Sequence, residues 1–233
     1  MNEKKDNLKP APVMLIAGGP QAKNMDFLLA EALKLSKAPQ PAIAYIGTAS
    51  EDDRSFFNMF KRRFAAAGAG SVVLVPIVKK FERTQAESIF STSDLIFLSG
   101  GEVEMGMEYL KKHDLLPSLA RLYKGGKPFF GVSAGSIMLS RHWLRWRDPD
   151  DDNTVELMDC LGFAPLLCDV HAEEDGWEEM KRLLAFFAAG TRGYGIPADG
   201  ALLVGTKGKV TAIGNAPLQF VKKGKAVVLQ KEL

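Results

Sequence analysis

Short apolar runs ending in glycine or small residues alternate along the chain with segments of helical periodicity. Val13–Ala17 leads into Gly18-Gly19-Pro20, Ile43–Ile46 into Gly47, Asp94–Leu98 into Ser99-Gly100-Gly101, and Lys127–Val132 into Ser133. These runs are continuously apolar rather than alternating, which predicts strands covered on both faces. Between them, Phe27, Leu28, Ala32 and Leu35 share one helical face. Phe56, Phe57, Phe60 and Phe64 recur at helical spacing, with Gly68 and Gly70 as the stop. Strand-helix alternation of this kind predicts parallel pairing through right-handed crossovers, hence an α/β fold. After about residue 192 the pattern changes to short strands joined by turns: Ala201–Val204, a turn at Lys207-Gly208, Val210–Ile213, and a hairpin through Lys223-Gly224 into Val227–Leu229. This predicts an antiparallel finish to the same domain, because no linker-like stretch intervenes.

Composition narrows the function classes. Of 233 residues, 46% are hydrophobic and 25% charged, which fits a globular chain and excludes disordered, collagen-like and disulfide-scaffold classes. Thirty basic residues against 28 acidic ones give no nucleic-acid footprint. The two cysteines, Cys160 and Cys168, have neither C-x-x-C spacing nor a metal partner set and read as free buried thiols of a reducing compartment. No apolar run reaches the ~18 residues that would cross a bilayer. The expectation is a cytoplasmic protein with no membrane partner: a loose tail over residues 1–11 and a single domain over 12–233.

The chemistry concentrates in Phe129-Phe130-Gly131-Val132-Ser133-Ala134-Gly135-Ser136-Ile137-Met138-Leu139. A buried strand, a G-x-S-x-G turn and an apolar helix start are the context a nucleophile elbow requires. The two glycines allow a sharp turn that lifts the Ser133 hydroxyl clear of the sheet, beside the Ala134 N–H and the positive helix end, where an oxyanion would be stabilised. A serine nucleophile needs a base, and there are three histidines. His113 sits in a polar helix end and reads as solvated; His142 follows the elbow helix and reads as surface or pocket rim. His171 ends the apolar run Leu166–Val170, at a strand's C-terminal end, and is the best-placed base. Ser99-Gly100-Gly101-Glu102 closes another buried strand, where paired glycines let a backbone N–H approach a ligand; this turn is a candidate source of the second oxyanion donor, and a tight βα turn with Glu102 capping the next helix is the alternative.

Together these segments resemble the serine peptidases that include aspartyl dipeptidase (dipeptidase E) and cyanophycinase, whose fold is similar to class I glutamine amidotransferases. The resemblance rests on Gly131-Val132-Ser133-Ala134-Gly135-Ser136, Leu98-Ser99-Gly100-Gly101 and Asp169-Val170-His171, and spans roughly residues 12–205. It implies a flavodoxin-like three-layer sandwich with a mostly parallel central sheet, Ser133 as nucleophile, His171 as base, and Gly101 and Ala134 as oxyanion donors. It implies no cofactor, and small peptide or isopeptide substrates with an acidic residue at the cleavage site.

Three departures from the family pattern bear on specificity and on the acid behind His171. Glu102 stands where the family usually has asparagine or glutamine, so an acidic substrate group would be disfavoured and a cationic one favoured. The run His171-Ala172-Glu173-Glu174-Asp175-Gly176-Trp177 holds no arginine to clamp a substrate carboxylate. The family's G-I-D-E type segment corresponds to Gly195-Ile196-Pro197-Ala198-Asp199-Gly200, which makes Asp199 the first candidate for the triad acid. Glu173, from the His-x-Glu arrangement of amidotransferases and also a candidate substrate contact, is second, and Asp148 third. A catalytically altered binding or regulatory protein on the same scaffold is the competing reading. The two separate on whether His171 reaches Ser133 with an acid behind it.

Three weaker signals give way to structural readings. Asp148–Asn153 lacks the glycine and glutamate of a calcium loop and reads as an Asp/Asn turn. Trp143 and Trp146, interleaved with Arg141, Arg145 and Arg147, read as a strand face or pocket wall rather than a nucleic-acid platform. The phenylalanine stripe reads as core; exposed, it would mark a homodimer interface.

Overall fold

The computed structural model describes residues 9–148 and 150–232. The tail predicted over residues 1–11 lies outside the described residues as far as residue 8; residues 9–12 enter the first strand without regular structure.

The main sheet has seven strands: β1 (Val13–Ile16), β2 (Ala42–Ile46), β3 (Ser71–Val75), β4 (Leu95–Leu98), β5 (Phe129–Val132), β10 (Gly200–Val204) and β11 (Val210–Gly214), in the order β11-β10-β1-β5-β4-β2-β3. The five from β1 to β3 are parallel, and β10 and β11 add antiparallel at the β1 edge. Side chains alternate across the sheet, and both faces are buried. Val13 and Leu15 of β1 point into one apolar cluster, Met14 and Ile16 into the other; Phe129 and Phe130 divide in the same way. The continuous hydrophobic runs are therefore two alternating sets with two covers.

The covers are helices α1 (Met25–Leu33), α2 (Arg54–Ala66), α3 (Arg83–Thr92), α4 (Val103–Lys112), α5 (Leu116–Lys124) and α6 (Ala134–Leu139). The α2 helix starts at Asp53, whose carboxylate accepts the Phe56 N–H at 2.6 Å. Its Phe57, Phe60 and Phe64 are buried against Tyr45, Phe97 and Phe130. The phenylalanine stripe is core, as its spacing predicts.

The C-terminal finish is antiparallel, as the turn-linked short strands predict. It divides between two sheets: β10 and β11 extend the main one, whereas β12 (Leu218–Lys223) and β13 (Ala226–Glu232) pair onto β9 (Arg192–Ile196), which runs parallel to β8 (Leu167–Val170). A third hairpin joins β6 (His142–Trp146) to β7 (Val155–Asp159). Helix α7 (Glu178–Ala185) packs its Met180, Leu183 and Leu184 into the same cluster as β8, β9 and α6. The C-terminal ends of β1, β4, β5 and β8 thus open on one crevice, where open α/β sheets bind ligands.

Candidate active site

Ser133 follows β5 directly and caps α6 with φ 54° and ψ −123°. That backbone is strained for a residue with a side chain, at a cost of about 1–3 kcal/mol. The turn is possible because its flanking glycines have no room for more: a Cβ on Gly135 would lie 2.1 Å from the Leu98 carbonyl oxygen, and one on Gly131 2.4 Å from the Gly135 backbone. Ser136, which the sequence reading passed over, fastens the elbow from beneath. Its buried Oγ accepts the Ile16 N–H at 2.9 Å and lies 2.8 Å from the carbonyl oxygens of Ile16 and Gly131, either of which takes its proton. The Ser133 N–H donates to Ile16 O at 3.0 Å, tying the turn to β1.

His171 stands at the end of β8, its N–H donated to Ile196 O at 2.9 Å and its φ at 43°. This turn brings Nε2 to 2.8 Å from Ser133 Oγ. Ser133 and His171, 38 residues apart in sequence, stand at a distance that permits proton transfer.

The turn after β4 and the start of α6 lie beside Ser133. Gly101 has φ 134°, and a Cβ there would fall 1.8 Å from the Ala49 carbonyl oxygen. The Glu102 N–H donates to that same oxygen at 2.7 Å, so the turn Thr48–Ser50 buttresses the loop. Among the described residues no backbone hydrogen bond uses the Gly101 N–H, and the Ala134 N–H lies in the first turn of α6, where amides have no intrahelical partner.

The remaining candidates fall elsewhere. Asp199 is buried and its Oδ1 accepts the Asn24 N–H at 2.6 Å, at the start of α1. The structure joins it to that helix rather than to His171. Glu173 lines the same cavity as His171, its Oε1 accepting the Ala198 N–H at 2.6 Å. Among the described residues no carboxylate hydrogen-bonds His171. Asp148 turns the β6–β7 hairpin, accepting the Asp150 N–H, and Asp152 beyond it pairs with Arg182. His142 pairs with Asp159 on the hairpin at 2.9 Å. His113, expected in solvent, is half-buried with its ring tilted 31° against that of Phe81, centroids 4.2 Å apart. Burial pushes the Cys160 thiol up to about 12 and the Cys168 thiol further, so neither is a nucleophile at neutral pH.

The sequence pattern of peptidase family S51 matches residues 13–213. The chain belongs to peptidase family S51. It is a serine peptidase by that membership. Two solved structures share the fold. A peptidase from an acI-B1 Actinobacterium superposes with a TM-score of 0.72 at 15% identity, covering 97% of this chain and 98% of the other. A candidate peptidase E protein from Listeria monocytogenes EGD-e superposes at 0.66 and 16% identity, covering 88% of this chain and 99% of the other. No curated protein matches the chain. Among the described residues no helix of this S51 peptidase is long and apolar enough to cross a membrane.

One buried carboxyl beside His171 was read in the sequence only as part of the segment Asp169-Val170-His171. Asp169, inside the apolar run that forms β8, is 2% exposed; its Oδ1 accepts the Val170 N–H at 2.7 Å, and the Met180 amide in the first turn of α7 faces the same carboxyl. Burial pushes its carboxyl up to about 7; the charges of Glu179 and Asp175 add to this, and the Val170 and Met180 amides oppose it. The folded chain therefore keeps a proton that the unfolded chain loses, and stability falls as pH rises from about 4 to about 7. Relative to Asp169→Asn, the wild-type chain should lose up to about 4 kcal/mol over that window, read by urea denaturation at each pH.

Proposed function

We propose that the chain hydrolyses small peptides or isopeptides through Ser133, His171 and an acyl-enzyme, with a substrate preference moved away from the family's acidic type. The observation that carries this reading is the 2.8 Å contact between Ser133 Oγ and His171 Nε2 on a strained elbow. His171 Nε2 takes the Ser133 proton as Oγ attacks the scissile carbonyl carbon. The Gly101 and Ala134 N–H groups hold the oxyanion. His171 then gives the proton to the departing amine, the C–N bond breaks, and the acyl ester remains. A water deprotonated by His171 attacks that ester, Oγ leaves with the proton, and the site resets. A binding protein on this scaffold would have no need to keep two strained residues in hydrogen-bond contact.

For the third member we propose Glu173 in place of Asp199. Each carboxylate accepts a backbone N–H at 2.6 Å, Glu173 from Ala198 and Asp199 from Asn24, but only Glu173 lines the cavity that holds His171. Glu173→Gln should lower kcat on the order of 10²-fold or more, with KM and melting temperature nearly unchanged. Asp199→Asn should lower the melting temperature and change kcat little. The reverse pattern would return the role to Asp199.

Hydrolysis of a mixed dipeptide and isopeptide library with β-aspartyl links, read by mass spectrometry, tests the activity. Cleavage by the wild-type chain and none by Ser133→Ala is the expected result. An intact library after incubation with folded wild-type chain would overturn the reading.

A further inference from the structure

The peptide unit between Gly100 and Gly101 is trans, so its carbonyl and its N–H point in opposite directions. Its neighbours on both sides are pinned. Before it, the Ser99 N–H donates to Ile46 O at 3.0 Å; after it, the Glu102 N–H donates to Ala49 O at 2.7 Å. Between those two bonds the unit has a glycine at each end, and neither has a Cβ to resist a half-turn of the peptide plane. Gly101 is exposed and lines the recess that holds Ser133, whereas Gly100 is buried. Among the described residues the Gly100 carbonyl takes part in one hydrogen bond, from Ser99 Oγ at 3.2 Å.

Ser99 is 1% exposed, and its Oγ lies 3.2 Å from Ser50 Oγ. The protons of the two hydroxyls run in one direction. Gly47 O, the other oxygen within reach of Ser50 Oγ, already accepts the Ser50 and Asp52 N–H groups at 3.0 and 2.9 Å. The Ser50 hydroxyl therefore donates to Ser99 Oγ, and Ser99 Oγ donates to Gly100 O. A hydroxyl that accepts one bond donates a stronger one.

We propose that Ser99 is a positioning residue: its hydroxyl, supported by Ser50, holds the Gly100 carbonyl inward and so keeps the Gly101 N–H turned toward the oxyanion formed at Ser133. The assignment rests on the serine-peptidase reading above and adds to it a group that never touches substrate. Without the hydroxyl, Gly100 O is a buried acceptor with no donor. A half-turn of the unit hydrates that oxygen in the recess and sets a lone pair where the negative charge develops. The loss falls on the transition state and leaves ground-state binding unchanged.

The first test is kcat and KM of the full chain on one dipeptide that the wild type cleaves. Ser99→Ala should lower kcat by about tenfold or more with KM nearly unchanged, and Ser99→Thr, which keeps the hydroxyl, should recover most of the rate. The direct readout is the Gly101 amide. The sequence has three Gly-Gly pairs, Gly18-Gly19, Gly100-Gly101 and Gly125-Gly126. Protein grown with glycine carrying carbonyl ¹³C and ¹⁵N therefore gives one peptide NMR correlation for each pair, and the Gly101 signal is the one absent from Gly101→Ala. Reaction of Ser133 with a fluorophosphonate, whose phosphoryl oxygen takes the place of the oxyanion, should move that signal downfield in the wild type and not in Ser99→Ala. Should Ser99→Ala fail to fold, Ser99→Cys, a weaker donor of similar size, carries the same comparison. An unchanged kcat, or an equal downfield shift with and without the Ser99 hydroxyl, would overturn the proposal. The labelling also separates the two failures. Ser133 labelled in the wild type, with Ser99→Ala indistinguishable from it, removes only this inference. No labelling and no hydrolysis in the wild type removes the peptidase reading and this inference with it.

Discussion

Replacing Ser133 by alanine should abolish peptide hydrolysis, with kcat falling by about 10⁴-fold or more, while the fold persists. The hydroxyl is the only group removed. The elbow is held by other groups: the Ser133 N–H on Ile16, the Ser136 hydroxyl on β1 and β5, and the close approach of Gly135 to β4. Alanine tolerates φ 54° no better than serine, so the backbone cost is unchanged. Stability should stay within about 1 kcal/mol of wild type. Ser133→Ala accordingly isolates the chemistry from the scaffold: paired melting curves and progress curves on one dipeptide read it. A residual rate near wild type would place the nucleophile elsewhere.

Gly101→Ala carries the second large effect, and it acts on both properties. Its Cβ would lie 1.8 Å from Ala49 O, 2.4 Å from the Ala49 carbonyl carbon and 2.9 Å from the Ser50 nitrogen. All three are backbone atoms, so no side chain can move aside. The φ of 134° is itself a conformation that alanine rarely adopts. Relief requires the loop to withdraw from the turn Thr48–Ser50, which breaks the 2.7 Å bond from Glu102 N–H to Ala49 O and turns the Gly101 N–H away from Ser133. Losing one oxyanion donor costs about 10²–10³ in kcat. Overpacking and strain add about 1–3 kcal/mol of lost stability, a fall of several degrees in melting temperature for a chain of this size. A variant with wild-type kcat would show that the Gly101 amide does not hold the oxyanion.

What was legible in the sequence was local. The elbow could be read because strand, sharp turn and helix are contiguous, and the residues that make the turn possible are the two glycines beside the serine. His171 could be read because it ends an apolar run, and strand ends face the crevice in parallel sheets. The C-terminal strands were legible as strands but not as members of a sheet. A period of two says which face a residue takes, not which partner a strand finds, and β12 and β13 found β9 rather than the main sheet. The acid behind His171 was read from segment correspondence, and Asp199 turned instead to Asn24 across 175 residues. Asp169 was read only as part of Asp169-Val170-His171, and its burial was not foreseen because it sits within an apolar strand. The signal was present, a lone aspartate between Cys168 and Val170. Its surroundings needed α7, whose Glu179 and Met180 act on that carboxyl from a different part of the chain.

Intact-mass spectrometry after exposure to a serine-directed fluorophosphonate, with the adduct mapped by digestion, tests the central claim most directly. It reads the nucleophile without requiring the right substrate. One adduct on Ser133, absent from Ser133→Ala and slowed by about 10³-fold or more in His171→Gln, is the result the Ser133–His171 pair predicts. An unmodified chain, or an adduct on Ser133 formed at the same rate without His171, would contradict it.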